Sequence, residues 1–206
     1  TVAGRGYSYE MEDGAFKKSE VGQFGKDFDR QYFGGDLQFY LDLPVIGGFT
    51  VRGEYIQGLQ PGTKSSSSFY NPGRSSSQPV YLRDFAGYYL MYVQNINPIH
   101  SQLVLKYDVY DPNTDVKEGD FTAGAINKKG LSATDLAFST IGVGVVYHWD
   151  ENLKFTLYLD KVTNEKMDQS LVTTTDADEV KAAKPLLPYV EDLKDDVVTF
   201  RIQYKF

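Results

Sequence analysis

The chain has 206 residues, 41% of them hydrophobic and 15% aromatic, led by 16 Tyr and 13 Phe, which predicts one domain over residues 1–206. A net charge of -7 argues against a nucleic-acid footprint. The absence of cysteine excludes a disulfide framework, a thiol nucleophile and a thiolate metal site.

In chain order, the first ten residues (TVAGRGYSYE) lack the positive-then-apolar order of an export signal, so Thr1 reads as a processed end or the start of a fragment. Residues 6–11 form a weak first strand. Residues 36–43, 49–58, 101–110, 139–150 and 153–161 then alternate apolar and polar side chains with period two, the signature of strands that differ between their faces. Leu153, Phe155, Leu157 and Leu159 against Lys154, Thr156, Tyr158 and Asp160 is typical. Residues 81–95 are a strand with both faces apolar around FAGYYLMYV. Residues 197–206 (VVTFRIQYKF) close the chain, with Val198, Phe200, Ile202, Tyr204 and Phe206 on one face and Arg201, Gln203 and Lys205 on the other.

The connections carry a second regularity. Tight turns at residues 44–48, 97–100 and around Glu151-Asn152 alternate with long polar stretches at 12–35, 59–80, 111–138 and 162–195. Short turns on one side and long loops on the other are the pattern of outer-membrane barrels. The expected fold is therefore all-β: an antiparallel transmembrane β-barrel with eight strands visible, both chain ends on the short-turn side. The Ser-rich residues 64–78 are expected to be mobile, and KAAKPLLPYVEDL to form a short helix or fold over the mouth. A soluble barrel or sandwich shares the alternation, but loops of about twenty residues alternating with tight turns are foreign to it.

The stretches VRGEYIQG, FAGYYLMYVQNI, LVLKYDVYDPNTDV and GVGVVYHWDENLKFTLYLDKV resemble the C-terminal half of phosphate-selective porin O/P-type proteins. The resemblance runs from about Gly34 to Phe206 and centres on KYDVYDPNTD. It implies about sixteen strands in the whole barrel, so that this chain is the C-terminal half of a larger porin. A self-contained eight-stranded barrel is the alternative, and its interior has room only for side chains. The basic constriction of that family has no match here, so phosphate selectivity is not carried over.

The expected function is a passive outer-membrane channel for small polar or anionic solutes. The alternative is a structural or partner-binding barrel with a plugged lumen. Arg52, Glu54, Lys106, Asp108, Lys154, Asp160, Arg201 and Lys205 are the expected pore-lining residues, where basic side chains would attract anions. Tyr147, Trp149, Tyr204 and Phe206 are the expected lipid-facing girdle. Asp111, Asn113 and Asp115 form a weak Ca²⁺ candidate, since Val116 stands where a calcium hand needs Gly. No catalytic residue or cofactor is expected, because the serine runs have no His beside them. The expected surroundings are outer-membrane lipid of a Gram-negative-type bacterium, small solutes, and a homo-oligomer or larger outer-membrane complex, without nucleic acid.

Overall fold

Period-two segments do become strands, and they pair with their sequence neighbours. The computed structural model describes residues 2–3, 6–23, 26–68 and 79–206. Its strands in chain order are β1 (Val2–Ala3), β2 (Ser8–Glu12), β3 (Ala15–Lys18), β4 (Asp27–Phe28), β5 (Gln31–Leu41), β6 (Phe49–Gly62), β7 (Val80–Ile96), β8 (Ser101–Asp111), β9 (Phe138–His148), β10 (Leu153–Asn164) and β11 (Val197–Tyr204). Three short helices, α1 (Ala123–Lys129), α2 (Ser170–Thr173) and α3 (Ala177–Ala183), lie in the last two long loops.

The chain is mostly β-sheet. Strands β5 to β11 form an antiparallel meander in which each strand bonds to the next. The turns that join them are built for the purpose. Gly47 sits at φ +117, where an added Cβ would meet Asn97 Oδ1 at 2.7 Å. The Asp150 carboxylate accepts the N–H groups of Asn152 and Leu153 at 2.7 and 2.8 Å, closing the β9–β10 turn.

The structure corrects the expected first strand. The segment at residues 6–11 is not a wall strand: β2 folds back on β3 and joins only the first two residues of β7, in parallel. The meander therefore has seven strands rather than eight, and the sheet is open and mixed. Its first strand, β5, runs the same way as β11 and so starts at the long-loop end, the end expected for the stretch at residues 12–35; Thr1, expected on the short-turn side, lies outside the described residues.

Along the registers, one face of the meander is a continuous apolar field. It runs from Phe33, Leu37 and Phe39 on β5 through Leu90, Leu105 and Val143 to Leu157 and Phe200. These side chains are exposed, Leu37 by 77% and Phe200 by 65%. On β9 the order of a water-soluble sheet is reversed: Ile141, Val143 and Val145 are exposed while Gly142 and Gly144 are buried.

The larger buried core lies among the loops. Phe16 of β3, Tyr81 of β7, Val116, Phe121, Ile126, Leu131 and Leu136 of one loop, and Met167, Leu171, Leu186 and Val190 of the next pack into one cluster. Each such side chain removed from water stabilises this cap by ~1.5–3 kcal/mol. The long loops are thus a packed body, not simply solvated polar segments. The KAAKPLLPYVEDL stretch contributes the end of α3 and a tight helical turn over Lys184–Val190 whose Leu186 and Val190 enter the core. Within the Ser-rich stretch, residues 69–78 lie outside the described residues. Residues 64–68 are tied down, with Ser132 Oγ donating to the Lys64 carbonyl at 2.9 Å and Gln60 Nε2 to the Ser67 carbonyl at 2.5 Å.

Candidate functional site

Opposite the apolar field lies a polar face, and strand pairing assembles it in rows. Cross-strand partners place Gln38, Arg52, Met91, Lys106, Gly142 and Asp160 side by side. One pair further toward the loops come Asp36, Glu54, Tyr89, Asp108 and Thr140. Arg52 Nε donates to Gln38 Oε1 at 2.8 Å, and Lys106 is ion-paired with Asp108 on the same face of its strand. The centre of the face thus holds Arg52, Glu54, Lys106, Asp108 and Asp160 together.

The other expected lining residues sit nearer the short turns. Arg201 is opposite Thr156, while Lys154 lies between His148 and Gln203. Among the described residues, neither Arg201 nor Lys154 has a carboxylate within ion-pair distance. Lys205 falls just past the end of β11, its N–H donating to the Asn152 carbonyl at 2.8 Å. Glu10, another acid of the N-terminal segment, is on the cap hairpin opposite Lys17.

Tyr158 shapes this face. Its ring lies flat over Gly142 and Gly144 of the neighbouring strand, where any Cβ would overlap it. Asp36, Gln38, Tyr89 and Tyr158 share the face with the charged residues and were not singled out from the sequence. Their signal is only the parity they share with Arg52 and Lys106.

At the short-turn end the girdle candidates form two pairs of exposed rings on the apolar side. Tyr147 and Trp149 meet edge-on at 6.3 Å, Tyr204 and Phe206 at 5.0 Å. His100 and His148 are neighbours there, the His148 N–H donating to the His100 carbonyl at 2.8 Å.

At the opposite end, the wall meets the cap through a buried polar hub that sequence reading missed. Arg83 Nε donates to Asp135 Oδ1 at 2.7 Å and Asn113 Nδ2 to the same oxygen at 3.0 Å; all three residues are 1% exposed or less. The second Asp135 oxygen accepts from the Ser132 N–H at 2.9 Å. The guanidinium also lies 5.1 Å from the Phe16 ring. Two members of the expected Ca²⁺ trio take part in local hydrogen bonds. Asn113 donates its side-chain N–H to Asp135, its Oδ1 being buried without a partner among the described residues, and Asp111 accepts the Asn113 backbone N–H at 3.0 Å as a turn carboxylate. Among the described residues no group of three or more acidic or His side chains is placed to hold a metal ion.

Two cap carboxylates are displaced in opposite directions. Burial pushes the Glu165 carboxyl above its usual range, although it accepts the Ala137 N–H at 2.9 Å. A hydrogen bond from Lys129, at 2.6 Å, holds Asp120 below its usual range.

No described helix is long and apolar enough to cross a membrane, which leaves open crossing by strands. Comparison with protein-family models, with curated proteins and with solved structures finds no match.

Proposed function

We propose that the meander is a section of the wall of a transmembrane β-barrel that passes small polar solutes without coupling to an energy source. The observation that carries this reading is the apolar field: seven strands present large hydrophobic side chains outward while the chain's main core lies elsewhere, in the cap. In water such a field is a strong association or aggregation liability; against lipid it is the expected surface. Strand length agrees. β5, β8 and β9 have 11 residues each, and a tilted strand needs about 9–11 to cross the hydrocarbon.

Closure needs more strands. Because β5 and β11 run in the same direction, antiparallel pairing around the barrel requires an odd number of further strands between them, giving an even total. One further strand would complete an eight-stranded barrel and nine would complete one of sixteen, so the direction of β5 and β11 is compatible with a small closed barrel and with a portion of a larger porin. Along the strands of the polar face the charges come as Arg52, Lys106, Lys154 and Arg201 against Asp36, Glu54, Asp108 and Asp160. So balanced a set gives a water path with weak charge preference rather than an anion filter.

The cap at the loop end favours a second reading, a structural or partner-binding barrel with its mouth plugged. Planar-bilayer recording of the intact native protein separates the two. Ohmic single-channel conductance is expected, and its absence from correctly inserted protein would sink the channel. In a conducting protein, Arg201→Gln with Lys154→Gln should shift the reversal potential toward cations.

A further inference from the structure

Where the polar face meets the cap, Tyr110, Phe138 and Asn164 stand side by side on β8, β9 and β10. The rings of Tyr110 and Phe138 are 5.7 Å apart, and Phe85 of β7 continues the series 6.1 Å from Tyr110. Above them is a cleft of about 380 Å³, bordered by the Ser65–Ser67 hydroxyls on one side and by Tyr189 and Asp195 on the other. Among the described residues, no Lys, Arg or His lines it. Asp195 Oδ2 accepts from Asn164 Nδ2 at 2.9 Å, whereas its Oδ1 is buried without a partner among the described residues.

We propose that this cleft binds a neutral saccharide. Aromatic faces present a flat apolar surface with negative π density, which suits the C–H face of a sugar ring. Serine and asparagine side chains both give and accept hydrogen bonds, as sugar hydroxyls do. Asp195, at the border of the cleft, supplies a carboxylate acceptor for a sugar hydroxyl. The same carboxylate, with no cationic side chain among the described lining residues, disfavours phosphate and other anions. A volume near 400 Å³ lies within the common range for small-molecule sites.

The inference names a solute class for the water path proposed above and rests on that reading for its role, but binding requires only the folded chain. The test is calorimetric titration of the detergent-solubilised native protein with maltotriose, and separately with sodium phosphate. Saturable binding of maltotriose and none of phosphate is expected. Phe138→Ala and Asp195→Ala should each weaken it by roughly tenfold, while Lys17→Gln, on the cap hairpin, should leave it unchanged. Circular dichroism checks that each variant is folded, and either of the first two suffices if the other fails to fold. No saturable maltotriose heat, phosphate binding in its place, or wild-type affinity in a folded Phe138 or Asp195 variant overturns the proposal. A protein that conducts without binding maltotriose sinks this inference alone; one that binds without conducting sinks the channel alone.

Discussion

The wall and the cap of this molecule follow opposite rules. On the wall, Leu157 and Ile202 are exposed by 57% and 58%, and cohesion comes from backbone ladders between consecutive strands. In the cap, Phe121 is fully buried and the Arg83–Asp135 pair is buried with the guanidinium against the Phe16 and Tyr81 rings. One chain cannot obey both rules in a single solvent. The difference teaches that each region is matched to its own surroundings: water for the cap, and lipid for the outward face of the wall in the reading proposed here.

The largest test of that contrast is in the cap. Asp135→Ala strands the Arg83 charge in a buried site, a loss of about 3–5 kcal/mol. Limited proteolysis should then cut within residues 112–137 while the strands stay protected; an unchanged digestion pattern would break the distinction. The wall supplies the sharpest test. Leu157→Arg should cost about 2–4 kcal/mol for folding into bilayers if it lies near the midplane, whereas a surface substitution in water stays within about 0.5 kcal/mol. Gly144→Val should displace the Tyr158 ring and lower stability by about 1–3 kcal/mol, read from the urea midpoint of refolded protein.

The smallest effect is one of pH. Glu165 has its folded pKa raised by burial, so folding is penalised once the carboxyl ionises. Cap stability should therefore rise as pH falls through the folded value toward the ordinary 4.5. Asp120 acts in the opposite sense, its contribution being lost only as pH drops below its ordinary 3.8. Amide exchange in the cap, measured from pH 7 to 4.5, should slow beyond the intrinsic pH trend in the native chain. In Glu165→Gln that extra slowing should be reduced.

Much of the wall is legible in the sequence because a strand's two faces are written into adjacent residues. Leu153 to Asp160 declares its faces without reference to anything distant, and the order of turns and loops supplies the pairing. The cap is not legible in that way. Its core residues touch across loops far apart in sequence, so Phe16, Val116 and Met167 each look like a stray apolar residue in a polar stretch. One local trace was available: Val116, Phe121, Ile126, Leu131 and Leu136 recur every fifth residue, and all are buried. That interval fits neither strand nor helix, which is why it reads as noise. Residues 6–11 pair elsewhere for a related reason, since six alternating residues specify a strand but not its partner. On the polar face, parity brings Arg52 and Lys106 into one row, but the ion pair of Lys106 with Asp108 depends on rotamers, which periodicity does not encode.

One feature joins the two regions. β7 is 17 residues long, and its first six, Val80 to Phe85, run beyond the last partner on β8 into the cap. Every wall pairing links neighbours in sequence and can zip in turn, but the cap core needs residues from near both ends of the chain, Phe16 and Val190 among them. The expected order of assembly is therefore hairpins first and the cap last, with β7 as the rod on which the late piece seats. In a refolding experiment, strand signals should mature before Arg83 and Tyr81 become protected, and the cap would act as a latch that closes only over a finished wall.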